Sequence, residues 1–291
     1  MLAALRFGRT CAQFAAPLVI DVALHPINGS PAVEAWMASG PVHSGQSGLV
    51  RYAHDDERLF AVIEVDEADL GGVRSAAAVV YNEMQRFQQA SGFRHLLRMW
   101  NFLDAINQGA GDLERYREFC VGRAHGMMAF AAERYPAASA IGRQTPTGSL
   151  QVFWLASRNE GAPVENPRQI SAYRYPRVHG PVSPSFARAT IDAGGAVLIS
   201  GTASIVGHAS QHPGDPLAQL DETIRNLDAL AAHACTQSAN ERQVLKVYVR
   251  EPAHADAFER RLRAVYRQGE ILMLAADICR RELLVEIEGV R

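Results

Sequence analysis

The sequence has little lysine and little cysteine. Lys246 is the single lysine, and the other cationic residues are arginines, which bind carboxylates through two parallel hydrogen bonds. A Schiff-base mechanism could therefore use only Lys246, on a strand that we expect to be half-buried. The four cysteines are far apart and form no CxxC pair: Cys11, Cys120, Cys235 and Cys279. This spacing argues against a zinc site or a disulfide framework and favours reduced thiols in a cytoplasmic protein.

The signatures of several large protein classes are also missing. No stretch of about 18 apolar residues could cross a bilayer, and Arg and Gly interrupt the apolar start of the chain. The net charge is −2 without any block of like charge, so we expect neither a nucleic acid nor a membrane as partner. The sequence has no P-loop, no G-x-S-x-G and no complete G-x-G-x-x-G, and His208 and His212 lack a carboxylate at metal spacing. We expect neither a metal nor an organic cofactor.

The chain does have a regular order of strands and helices that occurs twice. Its 291 residues, 48% of them hydrophobic, suffice for one large domain or two ordinary ones. Hydrophobic periodicity predicts the order β-β-α-β-α-β-β in residues 49–160 and again in residues 185–291. We predict an α+β fold of two tandem domains, each a mixed sheet covered by two helices on one face. Residues 1–48 would be an extension packed on the first domain, and residues 161–184 a connector.

The last predicted strand carries two carboxylates on one side. Alternation places Leu283, Val285 and Ile287 on the face that the helices should cover, and Leu284, Glu286 and Glu288 on the other. That second face looks either to solvent or into the seam between the domains, where a ligand cleft is expected. In the first case the glutamates are ordinary surface residues. In the second, partial burial would raise the pKa of a general acid or base.

Three arginines stand in apolar surroundings: Arg123, Arg143 and Arg188. Each alone is typical of a surface residue, but together they would suit a dianionic small molecule, with one guanidinium fork for each carboxylate. Tyr173 and Tyr175 in the connector either pack as anchors or reach across the seam.

A small-residue stretch of the second domain could allow close approach of a ligand to the backbone. It comprises Gly201, Thr202 and Ala203, although ordinary strand ends look the same. Cys279, considered alone, is typical of a small buried apolar residue.

Several segments of the chain resemble one known family. They are "YNEMQRF", "MWNFLDAIN", "RYREFCVGRA", "AIGR", "NPRQISAYRYPRVHGPVSPSFARA", "LISGTASIVGH" and "LLVEIEG", within residues 50–291. The sequence is similar to the chorismatases, which include the 3-hydroxybenzoate synthases. Their fold resembles the small RidA (YjgF-like, chorismate-mutase-like) enamine deaminases, duplicated in one chain. The long connector segment is the most specific of the matches.

The resemblance implies hydrolytic removal of pyruvate from chorismate, without a cofactor. It implies Glu286 as the catalytic acid, and Cys279 and Ala203 as the two positions that set the product. A cysteine at the first position resembles the branch that makes 3-hydroxybenzoate, and an alanine at the second resembles the branch that releases a dihydroxycyclohexadiene carboxylate. The mixture looks most like the branch that makes both 3- and 4-hydroxybenzoate. Candidates for holding the substrate are Arg123, Arg143, Arg188, Tyr173 and Tyr175, with Gly201, Thr202 and Ala203.

Two other functions are open to the sequence. A RidA-like imine or enamine hydrolase would have the same predicted fold. That group places an arginine 15 residues before the strand glutamate, and this chain has Ile271 there, which counts against this function. A protein that binds a small aromatic acid without converting it is the second alternative. Either way we expect a monomer or a small homo-oligomer.

Overall fold

The computed structural model describes residues 1–8, 15–127, 131–234 and 243–291. Cys11 and Cys235, expected as free thiols, lie outside the described residues, whereas Cys120 and Cys279 are free. Within the described ranges, no helix combines the length and apolar character needed to cross a membrane.

The N-terminal segment, residues 1–48, forms short strands that contact both halves of the molecule. The strands are β1 (Ala3–Phe7), β2 (Val19–Val22), β3 (His25–Pro26), β4 (Ala32–Trp36) and β5 (His43–Ser47). β1 pairs in parallel with β2 and antiparallel with β4, which makes a small three-stranded sheet. The remaining two strands, β3 and β5, extend the two large sheets described next.

The first half, residues 49–160, contains a large sheet and two helices. Its elements are β6 (Val50–His54), β7 (Arg58–Asp66), α1 (Val73–Ser91), β8 (His95–Asp104), α2 (Arg115–Met127), β9 (Ala137–Arg143) and β10 (Ser149–Ser157). Ala76, Val80 and Met84 recur at helical spacing and bury one face of α1 against the sheet. Phe119 of α2 packs on the same sheet face.

The second half, residues 185–291, repeats this order of long elements. With one strand of the connector, its elements are β11 (Ala162–Val164), β12 (Ala189–Ile191), β13 (Val197–Ala203), β14 (Ile205–Val206), β15 (Ala209–Ser210), α3 (Pro216–His233), β16 (Val244–Val249), α4 (Ala255–Val265), β17 (Glu270–Ala275), β18 (Asp277–Ile278) and β19 (Val285–Val290). Asp215 caps α3 by accepting a hydrogen bond from the amide of Ala218 (3.0 Å), and Pro216 stands at its first position. Helices α3 and α4 cover one sheet face. The predicted α+β order is therefore confirmed in both halves.

Within the described residues, each large sheet has seven strands, and two of the seven come from outside its own half of the chain. The first sheet has the order β18-β9-β8-β10-β7-β6-β5, and the second has the order β11-β12-β13-β19-β16-β17-β3. Ile278 of β18 pairs with Ile141 of β9, so the first sheet ends on a strand from the second half. Pro26 of β3 pairs with Leu274 of β17, so the second sheet ends on a strand from the N-terminal segment.

The sheet faces that the helices leave open share one apolar core. Phe60, Trp100 and Phe153 of the first sheet pack in this core with Leu198 and Tyr248 of the second. Residues of the N-terminal segment complete it: Leu5, Phe7, Ile20 and Val22. The segment was predicted to pack on the first domain, and in the structure it packs against both halves. The face of β19 that carries the glutamates therefore looks into the seam.

Candidate active site

A cavity of about 260 Å³ lies in the seam between the two halves. Its wall combines α2 and β9 of the first half with the connector, β13, β19 and the turn that follows β18. The lining residues used below are Ser139, Tyr175, His179, Arg117, Arg123, Arg188, Gly201, Ala203, Cys279, Arg280, Arg281, Glu282 and Glu286. Its size suits a small organic molecule.

Glu286 is the buried acid of this cavity. It lies in β19 opposite Ala203 of β13 and Tyr248 of β16, and its residue is 4% exposed. Within the described ranges, no hydrogen bond reaches its carboxylate. Burial, and then the negative charge of Glu288, raises the pKa of Glu286 to about 8, although Arg98 opposes the shift. The side chain therefore carries a proton at neutral pH and faces the cavity rather than bulk solvent.

Glu288 shares this strand face but is surrounded by donors. It accepts hydrogen bonds from Arg98 Nη2 (2.7 Å), Trp100 Nε1 (2.7 Å) and the hydroxyl of Ser139, and pairs with Lys246 Nζ at 2.8 Å. Burial alone would raise the pKa of Glu288, but the charges of Lys246 and Arg98 lower it to about 2. Two glutamates two residues apart thus hold opposite protonation states.

Gly201 provides the space for the Glu286 carboxylate. A Cβ atom at this position would lie 1.9 Å from Glu286 Oε1, far inside van der Waals contact. The amide of Gly201 donates a 2.9 Å hydrogen bond to Ser139 Oγ, which fixes β13 against β9. The sequence predicted that Gly201 lets a ligand approach the backbone closely. In the structure, the group that approaches Gly201 is the Glu286 carboxylate.

Arg123 and Arg188 are buried cations on the cavity wall without a carboxylate partner. Each is 3% exposed, and within the described ranges neither forms an ion pair. Arg123 donates to the carbonyl of Ser185 (2.7 Å), and Arg188 donates to the hydroxyl of Tyr175 (2.6 Å). Among the residues that the structure describes, the Nε atoms of both guanidinium groups have no hydrogen-bond partner. Because a buried cation without a direct ion pair is costly, these two arginines suit an anionic ligand.

Cys279 follows β18 directly and lines the cavity beside the acid. Burial, followed by the charge of Glu286, raises the pKa of its thiol far above the ordinary range. The group is therefore a neutral thiol, not a thiolate. Ala203, the second position expected to set the product, lines the same cavity from β13.

Three of the predicted substrate-binding residues do not line the cavity. Arg143 pairs with Asp104 (3.1 Å) and donates to the carbonyl of Phe102 (2.9 Å), so its guanidinium binds groups inside the first half and does not face the cavity. The sequence could not show this, since Arg143 and Asp104 meet only through the parallel register of β8 and β9. Tyr173 packs its ring on Tyr135. Thr202 turns its hydroxyl to the carbonyl of Ser200 (3.0 Å).

The structure also adds residues that sequence reasoning missed. Arg117, Arg280 and Arg281 give the cavity wall further positive charge, and Ser139 and His179 line it as well. Burial, followed by the charge of Arg280, lowers the pKa of His179 to about 4, so its imidazole is neutral. The pair Arg280–Arg281 follows Cys279 directly, which was a usable signal, whereas Ser139 had none. In the described part of the chain no group of three or more His, Cys, Asp or Glu residues is placed to hold a metal ion.

Fold and site define an α+β enzyme with a protonated acid in an arginine-lined cavity, and comparison with known proteins names the family. The family model described as chorismatase FkbO/Hyg5-like, N-terminal, matches residues 34–156. The chain is 35% identical over 280 residues to a 3-hydroxybenzoate synthase of Streptomyces hygroscopicus, covering 89% of this chain and 81% of that protein. It is 36% identical over 276 residues to a chorismatase of Streptomyces rapamycinicus, covering 88% and 81%.

A solved structure agrees with the sequence comparisons. A chorismatase crystal structure matches with a TM-score of 0.86 at 31% identity, covering 99% of this chain and 92% of that chain. The chain belongs to the chorismatase family. Both the resemblance and the fold class expected from the sequence are confirmed.

Proposed function

We propose that this enzyme removes pyruvate from chorismate, with Glu286 as the catalytic acid. The observation that carries the proposal is the protonated Glu286 in a cavity that also holds two buried, unpaired arginines. Relatives named chorismatase and 3-hydroxybenzoate synthase, similar over most of the chain, support the same substrate.

The substrate has the two features that the cavity can use. Chorismate is a diacid with an enolpyruvyl ether, so Arg123 and Arg188 can each bind one carboxylate through their free donor atoms. Tyr175 orients the Arg188 guanidinium through its hydroxyl and by lying under it, 5.5 Å from ring centre to Cζ. Arg143, Tyr173 and Thr202 are left out of this binding set because other groups occupy them.

Glu286 begins the reaction by giving its proton to the enolpyruvyl methylene carbon. This creates a cation at the ether carbon of the side chain, and two routes release pyruvate from it. In one, water adds to that carbon and the ring leaves as a dihydroxycyclohexadiene carboxylate. In the other, the neighbouring ring hydroxyl displaces pyruvate, the resulting arene oxide opens, and loss of a ring proton gives a hydroxybenzoate. The second route consumes no net water, and solvent returns the proton to Glu286 afterwards.

Cys279 and Ala203 would select between these products. A cysteine at position 279 resembles the branch that makes 3-hydroxybenzoate, and an alanine at position 203 resembles the branch that releases the dihydroxycyclohexadiene carboxylate. We propose that this combination gives both 3- and 4-hydroxybenzoate. The neutral state of the Cys279 thiol supports a role in shaping the wall near the carbon that loses its proton, rather than a role as a thiolate base.

Glu286→Gln tests the proposal directly. It keeps the size of the side chain but removes the proton that the reaction needs, so we expect pyruvate release from chorismate to fall by at least about 100-fold. Glu282→Gln is the matched control, because Glu282 is an exposed carboxylate on the same wall and should not be required. Near-normal turnover by folded Glu286→Gln would refute the assignment.

The same assay separates the alternative functions. Binding of chorismate without product on long incubation of the wild type would indicate a binding protein. Hydrolysis of 2-aminoacrylate without action on chorismate would indicate an enamine hydrolase.

A further inference from the structure

We propose that Glu288 is a positioning residue: its fixed negative charge adds to burial in keeping Glu286 in its acid form, and its contact with Ser139 holds Gly201, the backbone beside the acid, in place. The inference deepens the proposed function, on which its kinetic part rests. We call the polar groups around Glu288, most of them buried, the Glu288 network: Glu34, Arg98, Trp100, Ser139, Lys246 and Glu288.

The Glu288 network joins three parts of the chain. Arg98 and Trp100 come from β8 of the first half, and Lys246 comes from β16 of the second. Lys246 Nζ also pairs with Glu34 of the N-terminal segment at 2.7 Å. Arg98, Lys246 and Glu288 are all at most 3% exposed, so this is an ion-pair cluster inside the seam.

The charges of the network are already matched without Glu286. Arg98 and Lys246 are two cations, and Glu288 and Glu34 are the two carboxylates that pair with them. Ionisation of Glu286 would add a third carboxylate in the same low-dielectric seam, two residues from one that is permanently charged. Keeping the proton on Glu286 avoids that repulsion.

Ser139 links this network to the acid. Its hydroxyl donates to Glu288 and accepts from Arg98 Nη2 (2.6 Å) and from the Gly201 amide (2.9 Å). Since the Glu286 carboxylate lies against Gly201, the charge of Glu288 and the position of the acid's neighbouring strand are coupled through one hydroxyl.

Other charged or titratable groups also face Glu286 and set the background for the test. They are Arg98 from β8, Arg188 ahead of β12, Tyr248 and Arg250 in and after β16, and Cys279 after β18. The arginines favour the ionised form of Glu286 and so oppose Glu288. The variants below leave all of these groups in place.

The first test replaces Glu288 by Gln. The carboxyl ¹³C signal of Glu286, assigned by its loss in Glu286→Gln, reports the titration of the acid without substrate. We expect the midpoint to move to lower pH by about one unit in Glu288→Gln, because a negative neighbour has become neutral. The alkaline limb of kcat/KM for chorismate should move in the same direction.

The second test reverses the sign. Lys246→Met removes a cation but leaves Glu288 bound by Arg98, Trp100 and Ser139, so the titration of Glu286 should move to higher pH. A general loss of structure would not produce opposite shifts in the two variants. If Glu288→Gln does not fold, Lys246→Met alone decides the outcome.

Glu222→Gln is the matched control for breaking a buried ion pair. Glu222 pairs with Arg168 at 2.5 Å and does not line the cavity, so this variant should lose stability without moving the titration of Glu286. An unchanged midpoint in folded Glu288→Gln, or a Lys246→Met midpoint that fails to rise, would overturn the inference.

The outcome is separable from the fate of the proposed function. The titration measurement needs no turnover, so it decides on Glu288 even if chorismate is not the substrate. Failure of the wild type to release pyruvate would reject the proposed function and leave the ¹³C result standing.

Discussion

Ser139 and Gly201 are joined by a 2.9 Å hydrogen bond between strands of different halves. Ser139 belongs to β9 and Gly201 to β13, so this contact ties the two sheets together at the floor of the cavity. The carboxylate of Glu286 occupies the space where a side chain at position 201 would begin. The acid therefore lies against the backbone of Gly201 in the second half, and a hydroxyl of the first half holds that backbone in place.

Gly201→Ala should disable the enzyme with little loss of fold. A Cβ atom 1.9 Å from Glu286 Oε1 forces the carboxylate to move, and misplacement by about 1 Å can cost about 100-fold in rate. Pyruvate release from chorismate measures the loss. Gly40→Ala is the control, because nothing lies within 4 Å of a Cβ at that position. Full activity of Gly201→Ala would show that the reaction does not require the Glu286 carboxylate in its observed position.

Arg123→Met and Arg188→Met should weaken substrate binding. Each removes a charge-assisted contact to a carboxylate, and such contacts contribute about 1.5–3 kcal/mol. We expect KM for chorismate to rise at least about 10-fold, measured by steady-state kinetics.

Arg143→Met is the contrasting variant. It should lower the melting temperature, because it leaves Asp104 buried without its partner, while KM of the folded enzyme stays close to that of the wild type. A large rise in KM for Arg143→Met alone would return Arg143 to the binding set.

The different fates of Glu286 and Arg143 show how far the sequence could lead. Strand alternation has a period of two, so it places Glu286 and Glu288 on one face whatever the rest of the chain does. It says nothing about which distant groups meet that face. Arg98 reaches Glu288 across 190 residues of sequence, and only tertiary packing shows that one glutamate is paired and the other is not. Arg143 was misplaced for the same reason, since its partner Asp104 lies on a neighbouring strand.

The pH dependence of stability should reveal the proton on Glu286. The folded-state pKa of about 8 lies above the ordinary value of 4.5, so between these values the unfolded chain has lost the proton that the folded chain keeps. The free energy of unfolding should therefore fall as pH rises from about 4.5 to 8. Glu286→Gln lacks this decline, so it should gain a few kcal/mol on the wild type across the window in urea titrations. Curves that run parallel would contradict a buried, neutral Glu286.

Cys279→Ala should change the products more than the rate. The proposed mechanism assigns pyruvate release to Glu286, so we expect release to persist, while the share of hydroxybenzoates falls and that of the dihydroxycyclohexadiene carboxylate rises. Chromatography of the products after incubation with chorismate measures the ratio. Cys120→Ala is the control, since Cys120 is buried in the core of the first half and does not line the cavity. An unchanged ratio in Cys279→Ala would remove this residue from product selection.

Edge strands supplied by other parts of the chain tie the two halves into one unit. β3 lies at the end of the second sheet, and β18 returns from the second half to close the first. Between Ile278 and Val285 the chain crosses from one sheet to the other, so Cys279 and Glu286 approach the same cavity from separate supports. If the two halves were expressed separately, each would expose an unpaired edge strand and lack part of the cavity wall. The two similar halves are therefore interlocked, and together they form a single cavity whose walls neither half supplies on its own.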